Sequence, residues 1–474
     1  MKNDFKIGIF FTALGQYSNM LIQFLVTVVL SRLLTPEDFG IIAIVQVFLL
    51  LFQVIATAGM GPAIIQNKTL KSNDYGILFN YSAIFSIILG IVFSLFGNIV
   101  SYVYQNNEYR SLFLWMSVVV VAECLNTVPN AILNKEKKFV ALNIRFLIAN
   151  IFGAIAGIIA AICGLGVYAL IISVAIPAIV TLICNFFLVR IKWTISFKKE
   201  PFLSVWQFAK NQFASTLLNF FSRNLDNILI GKFFGPQVLG YYSKGYQLTV
   251  LPSMVIGGII SPVLQPILSE YEQDIEVIRE TYLKLIHFIA ILAFPVGIFM
   301  SLNADKIIYF LFGAGWQGAV MPLRILSLSI WAQVLSTIHG YIIQSRNQPT
   351  LLFRTGMIMT GITVVSIVIG ALTRDLTLLT LLVAAAYSIN FFISNTIVMK
   401  FSLESNLLSL LKVIQKPFYL GCFIAILLTA INPLINFDSH FLSLLVRGCI
   451  WLVIICIYLV LTGELKEIKA FLKK

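Results

Sequence analysis

Apolar residues run through this chain in blocks of about twenty, parted by short polar turns. The blocks show neither the alternation of a half-buried strand nor a single wet helical face. A window of about twenty residues places spans at 8–30, 40–60, 77–97, 112–133, 144–163, 167–189, 211–231, 240–267, 284–303, 320–342, 352–371, 377–399, 417–435 and 441–462. Each is long enough to cross a hydrocarbon core of about 30 Å as a helix. Continuous runs of this length exclude a transmembrane β-barrel, whose strands are about ten residues and alternate. The expectation is an all-α polytopic membrane protein with about 14 transmembrane helices. The fifth and sixth spans are parted only by Gly164-Leu165-Gly166.

The strongest internal signal is a repeat. Residues 31–40, SRLLTPEDFG, align without gaps on residues 231–240, GKFFGPQVLG. A base, a proline and a glycine recur at the same places, each time after the first span of a six-span half. The pattern reads as a helix end, a turn and a new helix. Pro36 and Pro236 suit the first helical position, where a missing N–H costs nothing. Thr35 can cap, and Glu37 and Asp38 suit the positive end of the helix dipole. An even number of spans between the copies makes them parallel repeats, related by an axis along the membrane normal. This divides the chain into an N-terminal lobe (1–190, helices 1–6), a cytoplasmic linker (191–210), a C-terminal lobe (211–400, helices 7–12), and residues 401–474 with an amphipathic segment and helices 13–14 outside the duplication.

Composition agrees. Of 474 residues, 59% are hydrophobic and 11% charged, against about 25% charged in soluble domains. The net charge of +13 does not point to nucleic acid. Most of the 33 Lys and Arg fall in alternate loops, among them Lys135, Lys137, Lys138 and Arg145, and Lys192, Lys198 and Lys199. The opposite turns hold only Arg32, Arg110, Lys232, Lys306 and Arg374. The bias puts both termini in the cytoplasm. Residues 1–6 lead into an apolar run too long for a signal-peptide core, so the first helix is expected to stay. The six cysteines lie inside apolar runs and read as small hydrophobes. No outer loop is long enough for a glycan-processing enzyme's catalytic groups, so the chain reads as a transporter, with no metal and no cofactor.

The stretches 224–232, NLDNILIGK, and 239–246, LGYYSKGY, resemble the polysaccharide-transport branch of the MOP exporter superfamily: Wzx-type and teichuronic-acid-type lipid-linked oligosaccharide flippases. Residues 32–40, RLLTPEDFG, are similar to that family's opening signature. The resemblance covers about the first 400 residues. It implies a V-shaped, two-lobed bundle around a central cavity. It also implies export of an undecaprenyl-diphosphate-linked oligosaccharide, or a teichoic-acid-type precursor, from the inner to the outer leaflet of the cytoplasmic membrane by alternating access. The glycan polymerase or glycosyltransferases of the same pathway are candidate partners. The alternative is a cation-coupled multidrug or metabolite antiporter of the same superfamily.

Charges inside spans cost about 2.5–3.5 kcal/mol each on insertion scales, so each needs a reason. Four stand out: Glu123, Arg223, Asp226 and Lys244. Arg223 is a candidate for the cargo diphosphate, because its planar fork fits phosphate oxygens. Asp226, three residues on, either keeps Arg223 charged or binds a coupling ion, Na+ or H+; a structural ion pair is the alternative. Lys244 either meets the phosphate from the outer side or snorkels to headgroups. Glu123 is a second coupling-ion candidate, or an interhelical contact. Gln23 stands where the repeat places Arg223. With Gln53, Asn219, Asn227, Gln16, Asn19 and Asn126 it is a candidate for a sugar path. His287 and His339 lack metal spacing. Residues 270–284 and 403–416 read as amphipathic cytoplasmic helices.

Overall fold

The computed structural model describes residues 2–57, 60–67, 70–189, 198, 220, 224–431, 435, 437 and 439–465. The helices are α1 (Lys2–Leu33), α2 (Pro36–Thr57), α3 (Met60–Gln66), α4 (Ser72–Tyr104), α5 (Glu108–Lys135), α6 (Phe139–Ile162), α7 (Val167–Leu188) and α8 (224–234). They continue as α9 (Pro236–Ser269), α10 (Ile275–Leu302), α11 (Ala304–Leu311), α12 (Val320–Ser327), α13 (Ile330–Ser345), α14 (Pro349–Leu372), α15 (Leu376–Ile397), α16 (Leu407–Ile431) and α17 (His440–Leu461). Among the described residues ten helices are long and apolar enough to cross a membrane, and a bent pair makes eleven. Of the expected spans, the seventh, at 211–231, falls mostly outside the described residues, as does the linker at 191–210. The chain forms two compact units, Met1–Gly240 and Tyr241–Lys474.

In the first unit α4 packs along α5, and α6 along both α7 and α1. Small residues let the backbones close, as they do between membrane helices. A Cβ at Gly157 of α6 would lie 2.6 Å from the Ser173 Cβ of α7. One at Gly97 of α4 would lie 2.6 Å from the Phe113 Cβ of α5. Phe52, Phe93 and Phe113 knit α2, α4 and α5, with ring centroids 4.9 Å apart for the first pair and 4.7 Å for the second. The division at Gly164-Leu165-Gly166 is a true turn: Gly164 and Gly166 have φ of 78° and 54°, open to glycine at little cost.

The repeated motif begins a helix both times. Pro36 is the first residue of α2 and Pro236 the first of α9. In the first copy Asp38 Oδ2 accepts from Thr35 N at 2.9 Å, while Thr35 Oγ1 accepts from Asp38 N at 3.2 Å, a reciprocal cap. The second copy has no such pair and turns instead on Gly235, with φ 86°. The two turns, both within the first unit, pack on each other reciprocally. A Cβ at Gly40 would overlap the Pro236 carbonyl oxygen, and one at Gly240 the Pro36 carbonyl oxygen.

In the second unit α10 is the central post, packed by α16, α13 and α12. Its Ile278, Tyr282, Ile286 and Ala290 meet Ile330, Val334, Leu335 and Ile338 of α13 and Phe391 of α15 in one core. The span expected at 320–342 is not one helix. α12 and α13 meet at 54° across Leu328 and Ser329. The chain there tightens to i→i−3 hydrogen bonds, Leu328 N to Ile325 O at 3.1 Å and Ser329 N to Leu326 O at 2.9 Å. The break sits where α10 comes nearest: a Cβ at Gly297 would be 2.7 Å from Ser327 O. The amphipathic stretches are not separate helices either. Residues 275–284 and 407–416 are the leading turns of α10 and α16.

The final pair, α16 and α17, is tied to α10 at three heights. Trp451 Nε1 donates to Pro295 O at 3.1 Å, Arg447 Nη1 to Asn303 Oδ1 at 2.9 Å, and His287 Nε2 lies 2.8 Å from Glu464 Oε1.

Candidate functional site

The densest polar cluster inside the spans is built by α5, α6 and α7. On α5, Glu123, Asn126, Thr127 and Asn130 fall at i, i+3, i+4 and i+7, one face of the helix. α6 contributes Arg145, 6% exposed, and α7 contributes Asn185, 1% exposed. Arg145 Nη1 donates to Asn130 Oδ1 at 2.9 Å and also to Asn185 Oδ1. Asn185 Nδ2 donates to Asn126 Oδ1 at 2.7 Å and to Asn130 Oδ1 at 3.1 Å. Asn126 Nδ2 donates to Ala178 O at 3.3 Å. Two asparagines, Asn130 and Asn185, thus clamp one guanidinium, and Asn126 braces Asn185. Glu123, half-buried, lies within electrostatic reach of Arg145, and its carboxylate accepts no hydrogen bond among the described residues.

Two of these residues, Glu123 and Asn126, were expected from their place in the fourth span. Arg145 was placed in a cytoplasmic loop, and the structure corrects this. The turn after α5 ends early, with Lys137 at φ 56°, and α6 starts at Phe139 rather than near residue 144. Arg145 is therefore nearly two turns inside a helix. Asn130 and Asn185 carried no expectation. The spacing of Asn126 with Asn130, and of Thr181 with Asn185, was the available signal, since each pair shares a helix face.

The other candidates are spread. Arg223 and Asn219 lie outside the described residues. Asp226, on α8, is 5% exposed, and its Oδ1 accepts from Asn227 N at 2.8 Å. Asn227 and Gln53 are half-buried, and Gln23 is exposed on α1. Lys244, in the second unit, is 4% exposed. Its Nζ sits 5.6 Å from the Phe312 ring centroid and 5.8 Å from that of Trp316, a desolvated cation–π arrangement. The neighbouring tyrosines of 239–246 pack onward: Tyr242 stacks on Tyr246 at 6.1 Å, and the Tyr246 hydroxyl meets that of Tyr387 at 3.0 Å. Among the described residues no group of three His, Cys, Asp or Glu could hold a metal ion.

A family model described as "Polysaccharide biosynthesis protein" matches residues 29–321. Among curated relatives, the teichuronic acid biosynthesis protein TuaB of Bacillus subtilis is 23% identical over 77% of this chain and 76% of its own. The lipopolysaccharide biosynthesis protein WzxC of Escherichia coli is 21% identical over 83% and 80%. Among solved structures, the lipid II flippase MurJ in an inward closed conformation superposes with a TM-score of 0.74 at 15% identity, covering 96% of this chain and 99% of that one. That likeness establishes the fold, a helical membrane-transporter bundle. With the match running over more than half its length, the chain belongs to the polysaccharide biosynthesis protein family.

Proposed function

We propose that this protein is a flippase moving an undecaprenyl-diphosphate-linked oligosaccharide from the inner to the outer leaflet of the cytoplasmic membrane by alternating access. The family match on a flippase-like fold carries this reading, and the relatives named for polysaccharide assembly support it. A sugar–diphosphate head cannot cross hydrocarbon unaided, because its polar groups would lose their hydrogen bonds and its charge its hydration. Polar groups inside the spans meet that need. In this reading the termini are cytoplasmic, following the basic loops. Arg223 takes the diphosphate, and Asn219, Asn227, Gln23 and Gln53 line the sugar path. Asp226 or Glu123 carries the coupling ion, Na+ or H+. Lys244 takes part only in a conformation that opens its aromatic cage.

Depletion of the protein in its host tests the function. Lipid-linked glycan should accumulate in extracted membranes. Unchanged glycan-lipid pools together with new sensitivity to amphiphilic cations would favour the antiporter instead. Within the flippase, Arg223→Ala should abolish complementation at normal abundance, and Arg223→Lys should restore part of it. Full complementation by Arg223→Ala would leave a structural ion pair as its role.

A further inference from the structure

Arg145 is a full positive charge, 6% exposed, whose hydrogen-bond partners are neutral amides. Both bonds leave from Nη1. Nε is buried and has no partner among the described residues. A guanidinium grips a carboxylate or phosphate most firmly side-on, through Nε and one terminal nitrogen. The asparagine clamp fixes the opposite corner of the fork and leaves Nε unused. A charge buried inside a membrane bundle is by default a candidate functional site whose partner is to be named.

The place of the cluster says which anion. Asn130 lies five residues before the end of α5, Asn185 three before the end of α7, and Arg145 six after the start of α6. At 1.5 Å per residue all three sit about 5–9 Å inside the same end of the first unit. In the flippase reading, with these helix ends among the headgroups, the cluster stands at the edge of the hydrocarbon. The same end carries Lys135, Lys137 and Lys138. Lys135 is fixed, its Nζ donating to Ile64 O at 3.1 Å and Asn67 O at 2.6 Å, and Lys138 is paired with Glu136 at 2.7 Å. Lys137 is exposed. A basic rim outside a buried, clamped guanidinium draws anions inward. Glu123, about two turns deeper on α5 than Asn130 and on the same face, places a carboxylate beyond the clamp.

We infer that Arg145, clamped by Asn130 and Asn185, is a phosphate-anion site at the mouth of the first unit, which loads the diphosphate of the cargo before it moves deeper. Glu123 is the carboxylate that takes the same guanidinium edge once the anion has passed. The source of the anion rests on the flippase reading; the site itself does not.

The probe is inorganic pyrophosphate, titrated against the purified full-length protein carrying Arg223→Ala as the parent, so that the diphosphate site proposed at Arg223 does not contribute. Arg145→Gln should weaken binding at least tenfold. Arg145→Lys should keep part of it, because a point charge lacks the fork. Asn185→Asp should weaken binding severalfold while the protein stays folded, because it sets a fixed carboxylate against the guanidinium. Thermal unfolding of each variant checks the fold; if Arg145→Gln does not fold, Asn185→Asp decides. Pyrophosphate binding within twofold of the parent in either variant would overturn the site. Arginine-dependent pyrophosphate binding in a protein whose depletion leaves glycan-lipid pools unchanged would uphold the site and remove the flippase reading.

Discussion

Two arginines are buried among the described residues, one in each compact unit, and they are held in opposite ways. Arg447 uses two terminal nitrogens on two different elements: Nη1 reaches Asn303 Oδ1 between α10 and α11, and Nη2 reaches the backbone carbonyl of Ile435 at 2.8 Å. Asp305 adds attraction from the first turn of α11. A backbone carbonyl cannot turn away unless the chain around it moves, so Arg447 is part of the scaffold that seats α17. Arg145 is held through Nη1 alone, by two side-chain amides that also bond each other. A cation fixed to a backbone carbonyl is tied to the chain; one fixed to side-chain amides is tied only through their side chains, the arrangement on which the proposed anion site rests.

Substitutions sharpen the contrast, and the largest effect on stability is expected at Arg447. Arg447→Ala should lower stability by about 3 kcal/mol, the loss of two charge-assisted hydrogen bonds at a buried site. Thermal unfolding in detergent would read this as an early transition. Asn303→Ala removes one of the two acceptors and should cost about 1.5–2 kcal/mol. Arg145→Gln should cost only about 1 kcal/mol, because Asn126, Asn130 and Asn185 keep their bonds to one another. A loss equal to that of Arg447→Ala would erase the distinction. The smallest change in stability is expected for Asn185→Asp, within about 0.5 kcal/mol of the parent, as a new ion pair offsets its own desolvation. Complementation should nonetheless fall, since the guanidinium is then occupied.

What the sequence disclosed follows the range of the forces involved. Hydropathy is local, so the spans could be read along the chain, and Pro36 and Pro236 stand where their residue type places them, at helix starts. The asparagine clamp could not be read, because it needs three helices brought together and no single stretch announces it. Arg145 was counted with the loop bases because it stood at the edge of the expected span 144–163; α6 starts five residues earlier and places it nearly two turns inside the helix. Arg447 went unnoticed as one base in an otherwise apolar block. The bend between α12 and α13 left no mark in hydropathy, since Ser327, Leu328 and Ser329 neither break nor charge the run; it lies where Gly297 lets α10 come close to Ser327. Lys244 was visible as a charge, but its cage draws on Phe312 and Trp316, some seventy residues away in the chain.

The reciprocal packing of the two repeat turns reaches beyond structure into inheritance. After a duplication the copies are ordinarily free to diverge. Here Gly40 lies against Pro236 and Gly240 against Pro36, so a side chain is sterically excluded at each glycine by the other copy of the motif. A side chain gained at either glycine collides with a carbonyl that belongs to the other half, and no compensating change within the mutated half relieves it. Around these four positions the capping chemistry has drifted, from Thr35 and Asp38 in one copy to Gly235 in the other. The letters that recur between the two copies of the motif, proline and glycine, are thus the ones at which the two turns touch.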